Sequence, residues 1–145
     1  MFNKILYPTD FSEVAGKAYA YVKQLQGAGT QEVVLLHVID HRRFEVLAAH
    51  DSAMRAKDIE QKMEKEALRE MNAVAEELQK QGLSVSVRVE KGVPLCEILD
   101  VADKEDVDAI VVGSHGTSNV AEMLLGSVSE KVIRKSKKPV LVVKR

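Results

Sequence analysis

The stretch between residues 113 and 132, GSHGTSNVAEMLLGSVSEKV, combines glycines with hydroxyl side chains at a defined spacing. Gly113 and Gly116 are three residues apart, and Gly126 with Ser127 follows after nine intervening residues. Glycine allows the backbone to approach a ligand closely or to adopt a positive φ angle. Gly126 and Ser127 precede an amphipathic segment, and the free N–H groups and dipole at the start of a helix favour an anion. The pattern therefore predicts a phosphate-binding site.

This spacing is neither of the common phosphate loops, since it matches neither GxxxxGK[ST] nor GxGxxG. Two glycines in an ordinary turn would explain GxxG alone, but the nine-residue gap and the capped helix favour phosphate binding. Ser127 and Ser129 add hydroxyl donors. No lysine or arginine lies between residues 113 and 129, and Glu122 is the only formal charge there. Fast phosphoryl transfer needs concentrated positive charge, so the stretch indicates binding of a phosphate chain with at most slow hydrolysis.

Hydrophobic patterning predicts strands that alternate with helices. Continuous apolar runs predict buried strands, and strict alternation over residues 83–89 predicts a half-exposed edge strand. The buried strands are expected at 4–8, 32–40 and 108–112, and Pro139 starts a last strand, VLVVK. Helical spacing predicts helices from Phe11 to Gly27, over 53–81, from Pro94 to Lys104 and from Ser127 to Lys137.

Alternating strands and helices imply right-handed crossovers and a parallel sheet. With the third strand at an edge, we expect an α/β protein with an open five-stranded parallel sheet in the order 3-2-1-4-5. Helices should cover both faces, in one domain over residues 1–145. Such a sheet binds ligands at the carboxyl ends of strands 1 and 4, where the strand order reverses. Residues 8–10 (PTD) and 113–116 (GSHG) follow those strands.

Composition excludes several classes of protein. Hydrophobic residues make up 46% of the 145 residues and charged residues 30%, as in globular proteins. A formal net charge of −1 and 4% aromatic residues give no reason to expect nucleic-acid binding. One cysteine suits a reducing compartment. The sequence shows neither a secretory signal nor an apolar run long enough for a membrane span, so a cytoplasmic location is expected.

The spacing of Gly113, Gly116, Gly126 and Ser127 resembles the signature G-x2-G-x9-G-[ST] of the universal stress protein family, in its ATP-binding branch. Further segments resemble the family in order: ILYPTDFSE, LLHVID, KGVPLCEIL, DAIVVGSHG, LLGSVSEKV and KPVLVV. The resemblance implies a Rossmann-like, adenine nucleotide alpha-hydrolase-like fold that is usually dimeric. It also implies ATP as ligand, with AMP or ADP as alternatives, and Mg²⁺ or Mn²⁺ bound with the phosphates.

The resemblance also implies which residues contact the nucleotide. The adenosine end would be lined by Pro8, Thr9 and Asp10, with the backbone of Val38 at the adenine edge. Ribose and phosphate contacts would come from Gly113, His115 and Gly116 above Val112, and from Gly126, Ser127, Val128 and Ser129.

Simpler explanations exist for several side chains. Asp10 could cap or charge the first helix, His115 could be a surface loop residue, and Ser129 could be ordinary first-turn polarity. His37 fits a hydrogen-bonded core histidine better than a ligand. Cys96, in an amphipathic helix, is expected to be a packed thiol.

Two functional classes stay open from the sequence. The first is an ATP-binding regulatory or stress-response protein, and the second is an ATPase or adenylyl-handling enzyme that requires a partner. A receiver-type signalling domain is excluded, because strand 3 ends in VEKG and only Asp10 follows strand 1. The apolar edge strand VLVV has no charge before Lys144, which predicts a homodimer through strand 5.

Overall fold

A computed structural model describes residues 2–11, 13–40, 42, 53–114 and 127–144. Within them, five β-strands alternate with four α-helices, and a short 3₁₀ turn, Gln26–Ala28, follows the first helix. The elements are β1 (Lys4–Pro8), α1 (Glu13–Leu25), β2 (Glu32–Asp40), α2 (Ala53–Lys80), β3 (Ser84–Gly92), α3 (Pro94–Lys104), β4 (Ala109–Gly113), α4 (Ser127–Lys135) and β5 (Val140–Val143).

The five strands form one parallel sheet in the order β3-β2-β1-β4-β5, which confirms the predicted fold class and strand order. The chain moves outward from β1 through β2 to β3 and then returns to the other side of β1. Because parallel crossovers are right-handed, reversing the direction of winding places the later helices on the opposite face of the sheet.

Two apolar layers cover the two faces of this sheet. One layer packs α1 and α2 on the sheet, and the other packs α3 and α4 on its reverse. The first layer contains Ala18, Val22, Met71, Ala75 and Leu78 against Ile5, Tyr7, Val33, Leu35 and Val111. The second, named here the lower cluster, contains Leu6, Val34, Leu36, Ile98, Val101, Ala102, Val107, Ile110, Val112 and Val132. Consecutive strand residues alternate between the layers, which explains the continuous apolar runs of the inner strands.

The two outer strands differ from the inner ones as their patterns predict. In β3, Val85 and Val87 pack toward α1 and α2, while Ser84 and Ser86 on the other face are exposed. At the opposite edge, Leu141 of β5 is also exposed. Among the described residues, no helix is both long enough and apolar enough to span a membrane.

Several helix boundaries differ from the sequence-based expectation by one or two residues, among them the end of α1, which is Leu25 rather than Gly27. The first helix begins at Glu13 rather than at Phe11, because Phe11 has a φ angle of 62° and is left-handed. The last helix ends at Lys135, two residues before the predicted Lys137. The helix α2 ends at Lys80, just before the glycine that was predicted to close it. Gly82 has a φ angle of 102°, which a residue with a side chain rarely adopts.

Candidate functional site

β1 and β4 separate at their carboxyl ends and open a crevice between them. The two strands are paired up to Leu6 and Ile110. Beyond that pair, β1 follows β2 as far as the pair of Pro8 with Leu36, and β4 follows β5 to Gly113. This is the place where the strand order reverses, and ligands of open α/β sheets bind at such a point.

Thr9 lies at the mouth of the crevice, and its amide, carbonyl and hydroxyl groups are hydrogen-bonded to other residues of the protein. Its amide donates to the Leu36 carbonyl at 2.8 Å, and its carbonyl oxygen lies 2.8 Å from His37 Nδ1. Its hydroxyl oxygen accepts from the Phe11 amide at 3.1 Å and shares a hydrogen bond with the Tyr7 hydroxyl. Burial raises the pKa of Tyr7 to about 12, so its hydroxyl stays protonated. Thr9 is therefore a fixed point of the segment after β1.

His37 joins this segment to β2 through both its ring nitrogen and its ring face. A carbonyl oxygen only accepts hydrogen bonds, so the contact with Thr9 requires the proton on Nδ1. The ring also packs against Phe11, with a centroid distance of 4.7 Å and an interplanar angle of 32°. A left-handed conformation is strained for a bulky residue such as Phe11, so these contacts hold a conformation that the residue alone would avoid.

The backbone of Val38 faces the crevice. In a parallel strand, alternate residues direct their backbone groups to opposite neighbours. The Leu36 carbonyl accepts from Thr9, on the β1 side of β2. Val38, two residues further along, directs its amide and carbonyl to the same side. Because β1 ends at Pro8, these groups point past the end of β1 into the opening. A planar heterocycle with a donor and an acceptor on one edge would fit them.

Three apolar residues named from the sequence lie on one layer beneath the crevice. Val112 is buried in the lower cluster, and Val38 and Val128 pack against the same cluster. They come from β2, β4 and α4, so the lower cluster brings together side chains far apart in the sequence. It supplies an apolar floor between the segment after β1 and the start of α4.

A hydrogen bond joins the end of β4 to the first turn of α4. The buried Ser129 hydroxyl donates to the Gly113 carbonyl at 2.5 Å, and the amide of Ser114 donates to Val143 at 2.8 Å. The first turn of α4, which begins at Ser127, is thus held beside the carboxyl end of β4. In this arrangement the proton of the Ser129 hydroxyl is used by Gly113, so a phosphate contact through it requires the hydroxyl to turn.

Other residues named from the sequence have different outcomes. His115, Gly116 and Gly126 lie outside the described residues. Asp10 is partly exposed between Thr9 and Phe11, and it precedes the start of α1 by three residues, so it is not a first-turn charge of that helix.

Two expectations about single side chains change with the structure. The Cys96 thiol is exposed, so the expectation of a packed thiol is wrong. Cys96 follows Pro94 and Leu95 in the first turn of α3, and the side chain that turns inward there is Ile98. His37 is hydrogen-bonded as expected but only half-buried, because it lies near the carboxyl end of β2.

The sequence did not reveal that His37 fixes Thr9. A signal was present, since His37 is the one polar residue within the apolar run of residues 33–39. Its partner could not be read from the pattern, because the two residues are 28 positions apart. Within the described part of the chain, no group of three or more histidine, cysteine, aspartate or glutamate side chains is placed to hold a metal ion.

An open parallel sheet with a crevice at its reversal point defines a Rossmann-like α/β protein. The family model of the universal stress protein family matches residues 1–144. The chain belongs to the universal stress protein family.

Individual relatives agree with this assignment. Universal stress protein MJ0577 of Methanocaldococcus jannaschii is 43% identical, over 100% of this chain and 96% of its own length. The solved structure of MJ0577 superposes with a TM-score of 0.91 at 46% identity, over 100% of this chain and 97% of the MJ0577 chain. An Arabidopsis thaliana member with AMP bound is 17% identical, has a TM-score of 0.70, and is covered over 92% of its length by 99% of this chain. A universal stress protein in complex with cAMP is 22% identical, with a TM-score of 0.66 and 97% of its length covered by 99% of this chain. The last two show the shared fold.

Proposed function

We propose that this protein binds ATP in the crevice between β1 and β4 and acts as a nucleotide-dependent regulatory or stress-response protein. AMP and ADP are the alternative ligands. One observation carries the proposal. The Val38 backbone, the end of β4 and the start of α4 all lie at the carboxyl ends of the strands, around the same crevice. A base would lie at the first of these and phosphates at the second. Proteins of the same fold that bind AMP and cAMP support an adenine nucleotide as the ligand.

The two ends of the crevice suit the two ends of a nucleotide. The Val38 amide and carbonyl would read the adenine edge, while the apolar floor packs against the base. At the other end, backbone N–H groups of the glycine-rich segment and of α4 would hold the phosphates. The full set of proposed contacts is Pro8, Thr9, Asp10, Val38, Val112, Gly113, His115, Gly116, Gly126, Ser127, Val128 and Ser129.

Binding with slow turnover fits this site better than efficient catalysis. The segment from residue 113 to 129 contains no lysine or arginine to stabilise charge that develops on a transferring phosphoryl group. Mg²⁺ or Mn²⁺ would enter together with the nucleotide phosphates. The second candidate is an ATPase or adenylyl-handling enzyme whose missing positive charge comes from a partner, as an arginine supplied in trans does in GTPases.

We further propose that the protein is cytoplasmic and forms a homodimer, with one domain per chain over residues 1–145. Its dimer would form through β5, which is the outer strand of the sheet on the side of β4. The bound state of the crevice would then be available to an unidentified protein partner.

The test is to identify the nucleotide that the protein carries. The protein is purified without added nucleotide and denatured, and the released small molecules are identified by chromatography and mass spectrometry. ATP or AMP is expected, and calorimetric titration of the emptied protein should show binding. Release of nothing, together with no binding on titration, would contradict the proposal.

A matched pair of variants connects that binding to the glycine motif. Gly126→Asp should abolish binding, because it adds bulk and a negative charge where phosphates are proposed to lie. Gly27→Asp adds the same side chain in the turn after α1, where an added Cβ would have no heavy atom within 4 Å. Gly27→Asp should bind ATP like the wild type. Retained ATP affinity in a folded Gly126→Asp protein would remove this segment from the site.

A further inference from the structure

His37 is a polar residue in a strand where its neighbours are apolar, and it contacts two residues of one short segment, Thr9 and Phe11. Its Nδ1 atom reaches the Thr9 carbonyl at 2.8 Å, and its ring packs on Phe11. The ring is half-buried at the carboxyl end of β2, next to Val38. His37 therefore joins the segment after β1 to the strand whose backbone faces the crevice.

The same contacts fix Asp10 from both sides. Thr9, before it, is held by the Leu36 carbonyl and by His37 Nδ1. Phe11, after it, is held by the Thr9 hydroxyl and by the face of the His37 ring. With both neighbours attached to β2, the backbone of Asp10 has a defined position relative to β2.

A base held between that segment and the Val38 backbone would be recognised by geometry rather than by a long flexible side chain. The adenine edge presents an acceptor beside an amino donor, and the guanine edge presents a carbonyl beside an N–H donor. The same backbone pair cannot satisfy both arrangements in one position. Discrimination between the two bases then depends on how rigidly the base is held.

We propose that His37 is a positioning residue that fixes residues 9–11 relative to Val38 and thereby sets the selectivity of the crevice for adenine over guanine. The inference rests on the proposed function, since it concerns the same crevice. The donor is the Nδ1–H group, and the segment it fixes forms the adenosine end of the site.

The test compares the affinities of variants for ATP and for GTP by calorimetry. His37→Phe keeps an aromatic ring beside Phe11 but removes the donor to Thr9. The loss of one hydrogen bond should weaken ATP binding about three- to tenfold and should lower the ATP-to-GTP affinity ratio by a similar factor. His37→Asn places an amide nitrogen near the position of Nδ1 and should restore most of that ratio. A purely structural role would change the folded fraction and reduce both affinities equally.

Tyr19→Phe is the matched control, because it also removes one side-chain hydrogen bond, from Tyr19 on α1 to Glu77 on α2. It should leave the ATP-to-GTP ratio unchanged. An unchanged ratio in His37→Phe, with ATP binding by the wild type, would overturn this inference alone. Failure of the wild type to bind any adenine nucleotide would overturn the proposed function and this inference with it.

A measurement on the wild type stands even where a variant fails to fold. Long-range ¹⁵N–¹H NMR spectra report which ring nitrogen of a histidine carries the proton. The proton is expected on Nδ1 of His37, and a neutral ring protonated on Nε2 alone would overturn the proposed contact with Thr9.

Discussion

The Ser129 hydroxyl is buried and joins two elements that the chain connects through a long segment. Its partner, the Gly113 carbonyl, is the last backbone acceptor of β4. A hydroxyl in this position does two things, because it satisfies a carbonyl at a strand end and it holds the start of α4 in register with that strand. At the scale of a residue, protein contacts thus fix the end of the crevice where we propose that phosphates bind.

The Ser129→Ala change should lower the free energy of unfolding by about 1–2 kcal/mol, because it leaves the Gly113 carbonyl without this donor. Urea unfolding followed by circular dichroism measures the loss. Ser86→Ala on the exposed face of β3 is the control and should change stability by less than about 0.5 kcal/mol. Equal stabilities of the two variants would contradict the role given to Ser129.

The lack of basic residues between positions 113 and 129 leads to a prediction about turnover. With Mg²⁺ or Mn²⁺, single-turnover hydrolysis of ATP by the purified protein should be far slower than the roughly 1–100 s⁻¹ of kinases. Rapid-quench analysis of radiolabelled ATP measures the rate. A rate within that range from the protein alone would favour the enzyme candidate over the binder.

At the scale of elements, a network of ion pairs joins the end of α3 to β1 and β3. The Glu105 carboxylate lies 3.1 Å from Lys4 Nζ and 3.0 Å from a terminal guanidinium nitrogen of Arg88. Arg88 also pairs with Glu90 at 2.9 Å. Hydrogen bonding to Lys4, with further attraction from Lys4 and Arg88, lowers the pKa of Glu105 below its ordinary value of 4.5. The network fills the polar face of β3 that α3 leaves partly open.

This lowered pKa makes stability depend on pH in a defined direction. Ionised Glu105 stabilises the fold fully above its ordinary value of 4.5, and that contribution is lost as the pH falls through the lower folded value. Glu105→Gln should therefore be less stable than the wild type at pH 7, and the difference should shrink between about pH 5 and pH 3. Denaturant titrations across that range measure it, with Glu66→Gln on the exposed face of α2 as control. A difference independent of pH would contradict the assignment.

The strand order was predictable because the hydrophobic pattern of a strand indicates how many of its faces are buried. The continuous apolar strands β1, β2 and β4 are covered on both faces and the alternating strand β3 on one, so the inner position of the first three and the edge position of β3 follow from local sequence. The contacts of His37 with Thr9 and of Lys4 with Glu105 were not predictable, since they join residues 28 and 101 positions apart. The left-handed Phe11 was missed for a related reason, because its strain is held by those distant contacts and its apolar side chain fitted the helical spacing.

At the scale of the whole molecule, the outer strand β5 presents an edge that a second copy can pair with. Leu141 is 40% exposed there, whereas Val142 packs against the lower cluster. Leu141→Lys is consequently a sharper test of the edge than Val142→Lys, which would also disturb the fold. We expect the wild type to be a dimer at tens of micromolar by light scattering, with or without nucleotide, and Leu141→Lys to weaken it.

The matched control for the dimer is Leu68→Lys on α2. Leu68 is 43% exposed, close to the exposure of Leu141, and α2 packs on β2 and β3 at the other side of the sheet. This variant should dimerise like the wild type. A wild type that remains monomeric at tens of micromolar would rule out the β5 interface.

The short ladder between β1 and β4 has a consequence for how the folded chain opens. Only Ile5 with Ala109 and Leu6 with Ile110 join these strands in the described sheet, whereas β2 pairs with β3 along the whole of Glu32–Asp40. Separating the sheet there breaks fewer backbone hydrogen bonds than separating any other neighbouring pair, so the ladder is a seam between a three-stranded and a two-stranded unit. A molecule that touches Val38 on one side and Gly113 on the other spans this seam. Its binding energy would then appear as slower amide hydrogen exchange in β4 and β5, and the ligand would act as a removable cross-link between the two units.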